Sequence, residues 1–130
     1  MKTRTFELNK LVRDGIVESH RDMGAEVDYA ILTGPAKARA ITGKIVEEAI
    51  ELDASPTLDE IVDLQELIDQ LRLEKGITNQ QLQEAQLAKR ERIGGFAGGW
   101  FIKQVCLPAE ATLADYYAAD PKRFPEIKEG

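Results

Sequence analysis

Two apolar stripes of helical period, separated only by Ser55-Pro56-Thr57, constrain this chain more than any other feature. Ile41, Ile45, Val46, Ala49 and Leu52 form the first, and Leu64, Leu67, Ile68 and Leu71 the second. Steps of three and four residues place each set on one helix face. A break this short makes the two helices antiparallel neighbours. The stretch across it, KIVEEAIELDASPTLDEIVD, also carries Glu47, Glu48 and Glu51 before the break and Glu60 and Asp63 after it.

Other elements follow from their punctuation. Asp14 can cap a short first helix that runs to about Met23 and ends at Gly24. Val27, Tyr29 and Ile31 alternate within residues 26–32, a weak strand or extended signal. The helix of the first stripe starts near Thr33-Gly34-Pro35, with proline tolerated in its first turn, and reaches about Ala54. The helix of the second stripe ends at Gly76. Thr78-x-x-Gln81 reads as a capping box that opens a fourth, mostly polar helix, which continues to Arg92 and stops at Gly94-Gly95. Beyond it, GGFAGGWFIKQVC is rich in glycine and aromatics, and DPKRFPEIKEG is turn-like. The expectation is an all-α bundle of about four helices in one domain over residues 1–130. An irregular tail, residues 97–130, packs on the bundle or on a partner subunit.

Composition narrows the function classes. The 130 residues are 43% hydrophobic, which suits one modest core. No run approaches a membrane span, and MKTRTFELNK lacks the apolar block of a signal peptide. With Cys106 the only cysteine, no internal disulfide can form. A cytoplasmic chain is expected. A net charge of −6 argues against binding a nucleic-acid polymer, which needs a basic face. It leaves room for a small phosphorylated ligand bridged through a divalent cation.

The carboxylates have two readings. Glu48 and Glu51 are three residues apart, as are Glu60 and Asp63, so each pair projects to one side of its helix. On facing helices the pairs converge, and four carboxylates that close repel one another unless a cation neutralises them. Oxygen-only ligands suit Mg²⁺, with Mn²⁺ an alternative. In the other reading, Thr57-x-x-Glu60 is itself a capping box. Glu47, Glu48 and Glu51 are then an exposed flank paired with Lys44.

Three blocks in order raise the first reading. Glu-Glu-x-x-Glu followed by Glu-x-x-Asp resembles the acidic signature of the all-α, MazG-like nucleoside triphosphate pyrophosphohydrolases. NKLVRDGIVE is similar to the "KLVRDKIPE" opening of the phosphoribosyl-ATP pyrophosphohydrolase-like branch, and KRERIGGF to that branch's basic helix end followed by Gly-Gly-Phe. Together they cover about Asn9 to Phe96. The resemblance implies a dimer or dimer of dimers and Mg²⁺-dependent cleavage between the α and β phosphates. It places metal ligands at Glu48, Glu51, Glu60 and Asp63, with Glu47 in the outer ligand shell or as a water-orienting base. The chain departs from the motif at Gly15 and Val17, where the branch has lysine and proline. The link between the acidic motifs is shorter than in many MazG proteins.

A metal-bound triphosphate calls for facing cations. Lys10 and Arg13, and Lys89, Arg90 and Arg92 at the end of the fourth helix, are the phosphate-binding candidates. The last three equally suit a helix C-terminal dipole. Trp100 is a candidate to stack on the base, although aromatics in a short chain commonly serve core or interface. His20 reads as a surface residue and Cys106 as a small buried hydrophobe. The expected activity is a Mg²⁺-dependent nucleoside triphosphate pyrophosphohydrolase that removes unwanted nucleotides. The alternatives are phosphoribosyl-ATP hydrolysis and a dimeric helical module that binds a nucleotide or partner without turnover.

Overall fold

A computed structural model describes residues 2–128. It is all-helical, with α1 Ile16–Asp22, α2 Gly34–Ala54, α3 Leu58–Glu74, α4 Asn79–Ile93 and α5 Thr112–Ala118, and no strand among the described residues. Residues 25–33, where alternation suggested a strand, have no regular structure. Arg21 of α1 instead lies over the Tyr29 ring, 5.3 Å from its centroid. The chain divides into two compact units, Met1–Lys89 and Arg90–Gly130.

In the first unit the packed pair is α2 with α3. Among the described residues of this unit, the bundle of about four helices expected from the sequence is represented by that one packed pair. The seam between α2 and α3 takes Ile41, Ile45, Glu48 and Leu52 from one helix and Glu60, Leu64, Leu67 and Leu71 from the other, all buried or half-buried. Both sets step by four, three and four residues, the spacing that keeps a narrow stripe on one line. Val46 and Ala49, read as part of the first stripe, face outward, as does much of Ile68. Ile41 is the one fully buried hydrophobic residue among those described. At the end of the pair away from the turn, Lys37 Nζ lies 2.7 Å from Glu74 Oε1, which fixes the register.

The helix ends show which local signals hold. Gly24 and Gly76 adopt φ of 87° and 69°. The amide just beyond each reaches back five residues, Ala25 to His20 O at 3.1 Å and Ile77 to Arg72 O at 3.0 Å. Only a residue free to take positive φ closes a helix in this way. Thr78 and Gln81 form a complete box, with the Gln81 amide donating to Thr78 Oγ1 at 3.0 Å and the Thr78 amide to Gln81 Oε1 at 2.8 Å. Thr57 and Glu60 form only half of one. The Glu60 amide donates to Thr57 Oγ1 at 3.4 Å, while the Thr57 amide donates to Ser55 O at 2.9 Å. At α1 the capping position falls on Gly15, with no side-chain bond, so Asp14 is not the cap the sequence suggested. His20 is half-buried, and its Nδ1 lies 2.9 Å from Ile16 O.

In the second unit, α5 occupies a stretch expected to be irregular. Tyr117 and Phe124 meet edge to face with centroids 4.8 Å apart, and Tyr116 lies 5.6 Å from Tyr117. The Arg123 amide donates to Asp120 Oδ1, and Phe124 to Asp120 O, turning the chain so that the rings meet. Cys106 is exposed rather than buried. Among the described residues, no helix is long and apolar enough to cross a membrane.

Because Ile41 sits at the centre of a small seam, Ile41→Ala is expected to lower unfolding stability by roughly 2–4 kcal/mol. The same change at exposed Val46 should stay within about 1 kcal/mol. Urea unfolding followed by helical circular dichroism measures both.

Candidate functional site

Near the turn between α2 and α3, carboxylates replace leucines at the seam. Glu48, Glu60 and Asp63 each offer an oxygen within 4.8 Å of the others. Glu48 is 7% exposed, and Glu60 and Asp63 are half-buried. Glu48 Oε2 and Glu60 Oε2 are buried and have no hydrogen-bond partner in the protein. An ionised oxygen removed from water without a partner is strongly unfavourable, so this arrangement is not what a structural seam would select. The half-formed box at Thr57 has the same origin: the Glu60 carboxylate turns into the seam rather than back to the Thr57 amide.

Glu51, the fourth expected ligand, does not belong to this tight group and is exposed on α2. It still feels the group. The neighbouring Glu48 carboxylate, with which a protonated Glu51 can share its hydrogen, and the repulsion of that neighbour's charge raise the Glu51 carboxyl above its ordinary 4.5. Burial, and then the charge of Glu51, raise Glu60 above the same value.

Cations flank the group from three places. Lys10 Nζ donates to Glu47 Oε1 at 2.7 Å, and Arg13 Nη2 to Asp63 Oδ1 at 2.7 Å, so the N-terminal segment holds one carboxylate on each helix. Lys44 Nζ lies 3.4 Å from both Glu47 Oε2 and Glu48 Oε1. The bond from Lys10 keeps Glu47 below the ordinary carboxylate value and raises Lys10 in turn. Arg13 is raised by its bond to Asp63. Lys89 is exposed on α4. Arg90, Arg92 and Trp100 belong to the second unit and are exposed, Trp100 by 94%.

The donor set fits a hard divalent cation. It is made only of oxygen, it is anionic, and two of its oxygens lack partners that a cation would supply. Sequence reasoning anticipated three members of the group and the cations of the opening motif. It took Lys44 only as a helix-flank partner, although a lysine three and four residues before two glutamates is a visible signal. Comparison of the chain with protein-family models, with curated proteins and with solved structures returns no match.

The shifts give a signed pH dependence. With Glu51 and Glu60 raised, these two groups hold more protons in the native than in the unfolded chain as pH passes from about 4.5 through their raised values. Their contribution to stability is therefore complete below that pH and is lost as pH rises through the raised values. Glu47 and Glu74, lowered by Lys10 and Lys37, act oppositely: their contribution is lost as pH falls. Comparing the parent with Glu60→Gln isolates one group. Without added metal, the variant is expected to melt higher at pH 7, and the gap should close towards pH 4.5. Calorimetric scans across that range decide it, and a variant that melts lower at pH 7 would make Glu60 an ordinary structural residue.

Proposed function

We propose that the chain is a MazG-like, Mg²⁺-dependent nucleoside triphosphate pyrophosphohydrolase. The observation that carries this reading is the trio of buried Glu48 and half-buried Glu60 and Asp63, with two buried oxygens, of Glu48 and Glu60, that lack a partner. A purely structural hairpin gains nothing from such a trio, whereas a site for a triphosphate and its cation requires one. The order of the three sequence blocks supports the same class of protein.

Bound Mg²⁺, or Mn²⁺ in its place, supplies positive charge to the phosphate oxygens and acidifies a water. Glu48, Glu60 and Asp63 would hold the cation, with Glu51 at the edge of the group. Glu47 orients the attacking water and accepts its proton. The water oxygen bonds to one phosphorus of the α–β bridge, and the bridging oxygen leaves with the other. The products are a nucleoside monophosphate and pyrophosphate. Lys10 and Arg13 neutralise phosphate charge, and Lys89, Arg90, Arg92 and Trp100 remain candidates to contact phosphate and base. While Lys10 donates to Glu47, that carboxylate is a poorer base than usual, so catalysis requires Lys10 to turn to the substrate.

The working form is proposed to be a homodimer or a dimer of dimers. Ile50, Leu58, Ile61 and Val62 lie exposed on the outer faces of α2 and α3. Burying such side chains is the dominant gain in association. Clearance of noncanonical nucleotides in the cytoplasm is the proposed role. Phosphoribosyl-ATP is the alternative substrate, and its five-membered sugar with a triphosphate presents the same α–β bridge. The exposed faces also suit a helical binding module without turnover, but that reading leaves the unpartnered oxygens of Glu48 and Glu60 without a purpose.

The deciding experiment is pyrophosphate release from canonical nucleoside triphosphates, modified ones and phosphoribosyl-ATP, with Mg²⁺ and with chelator. Metal-dependent release is expected, reduced about 100-fold or more by Glu48→Gln and by Asp63→Asn in folded variants. Mg²⁺ alone should raise the melting temperature of the parent by at least about 4 °C at pH 7, and much less in Glu60→Gln. Absence of release from every substrate would leave the binding module as the better reading.

A further inference from the structure

Beside the carboxylate group lies a groove of about 280 Å³ with a different chemistry. Asn9, Lys10 and Leu11 line one side, and Ala40, Gly43, Lys44 and Glu47 of α2 line the other. The four α2 residues fall at steps of three and four, so they form one continuous helical face. Small residues keep the groove floor low: a Cβ placed on Gly43 would meet no atom within 4 Å. Asn9 holds a left-handed φ of 46°, a conformation that asparagine tolerates better than most residues.

The charges of this groove are unusual for a chain of net charge −6. Two ammonium groups, Lys10 and Lys44, reach into it against the single carboxylate of Glu47. Glu47 is gripped from both sides, by Lys10 at 2.7 Å and by Lys44 at 3.4 Å. Lys44 is divided between Glu47 and Glu48 at equal distances, both longer than a strong charged hydrogen bond of roughly 2.7–2.9 Å. It is only 21% exposed, so its partial burial is not offset by a close partner. A cation held by Glu48 would also draw that carboxylate away from Lys44.

We propose that this groove is an anion subsite that takes the pyrophosphate end of the substrate, with Lys44 and Lys10 as its two cationic contacts. This rests on the pyrophosphohydrolase reading and adds Lys44, a residue that reading does not use. When the anion enters, both lysines exchange Glu47 for phosphate oxygens. Were Lys44 only an ordinary partner of helix glutamates, its replacement would alter melting behaviour and leave anion affinity alone.

The test is calorimetric titration of inorganic pyrophosphate into the full chain with Mg²⁺, using the parent, Lys44→Gln, Lys44→Arg and Gly43→Leu. Lys44→Gln is expected to weaken pyrophosphate binding about tenfold, and Lys44→Arg to stay within about threefold of the parent. Gly43→Leu fills the groove while leaving both lysines in the sequence and should weaken binding similarly, which keeps the proposal testable if Lys44→Gln fails to fold. Unchanged affinity in the folded Lys44→Gln or Gly43→Leu chain would overturn the subsite. The two readings fail separately. Nucleotide hydrolysis with KM and pyrophosphate inhibition unmoved by Lys44→Gln would sink the subsite and keep the hydrolase. Lys44-dependent pyrophosphate binding in a chain that hydrolyses nothing would do the reverse.

Discussion

Two glutamates set into an apolar helical seam govern what surrounds them. At the positions of Glu48 and Glu60 the spacing of the seam calls for leucine, and leucine would pack α2 against α3 more favourably. Charge at these points pushes neighbouring carboxyls upward and leaves oxygens without partners. It also attracts every nearby cation that can reach. Lys44 turns along its own helix, and the N-terminal segment crosses to Glu47 and Asp63. That segment is thus held to both helices by the acidic group as well as by the half-buried Leu11.

The helical pair is a scaffold with separate functions at its two ends. Leucines and isoleucines occupy the middle, and the Lys37–Glu74 pair pins the end remote from the turn. At the turn, stability is given up to bring carboxylates together. Ile41, the one fully buried side chain among the described residues, is a slender anchor for such an arrangement. The apolar residues on the outer faces of both helices are what a proposed assembly would use to reinforce it.

Much of this could be read along the chain, and the exceptions have physical causes. The limits of α2 to α4 follow from Thr33, Ser55-Pro56-Thr57, Gly76 and Gly94 because capping and termination are local events. Thr57 and Thr78 head motifs of the same kind, yet only the second closes both bonds. Nothing local separates them, since Glu60 is claimed by a seam formed with another helix. Glu51 shares a side of α2 with Glu48, but three residues return the helix about 60° short of a full circle. That offset carries Glu51 out to solvent. Pairs such as Lys10–Glu47 and Arg13–Asp63 join residues 37 and 50 positions apart, beyond any local pattern. The short α5 was missed because ring contacts among Tyr116, Tyr117 and Phe124 accompany it, not a long periodic stripe.

The N-terminal crossing has a mechanical side. Lys10 holds α2 through Glu47, Arg13 holds α3 through Asp63, and the three residues of backbone between them span about 10 Å at most, to which the two long side chains add their own reach. The segment therefore works as a short tether whose length limits how far those two carboxylates can part. Anything entering between those two carboxylates, beside the turn, must fit within that reach or detach one end. The ends are not equivalent: letting go at Lys10 frees the α2 side and leaves α3 held, and letting go at Arg13 does the opposite. The reach of that tether, backbone and side chains together, is written into the chain ahead of any ligand.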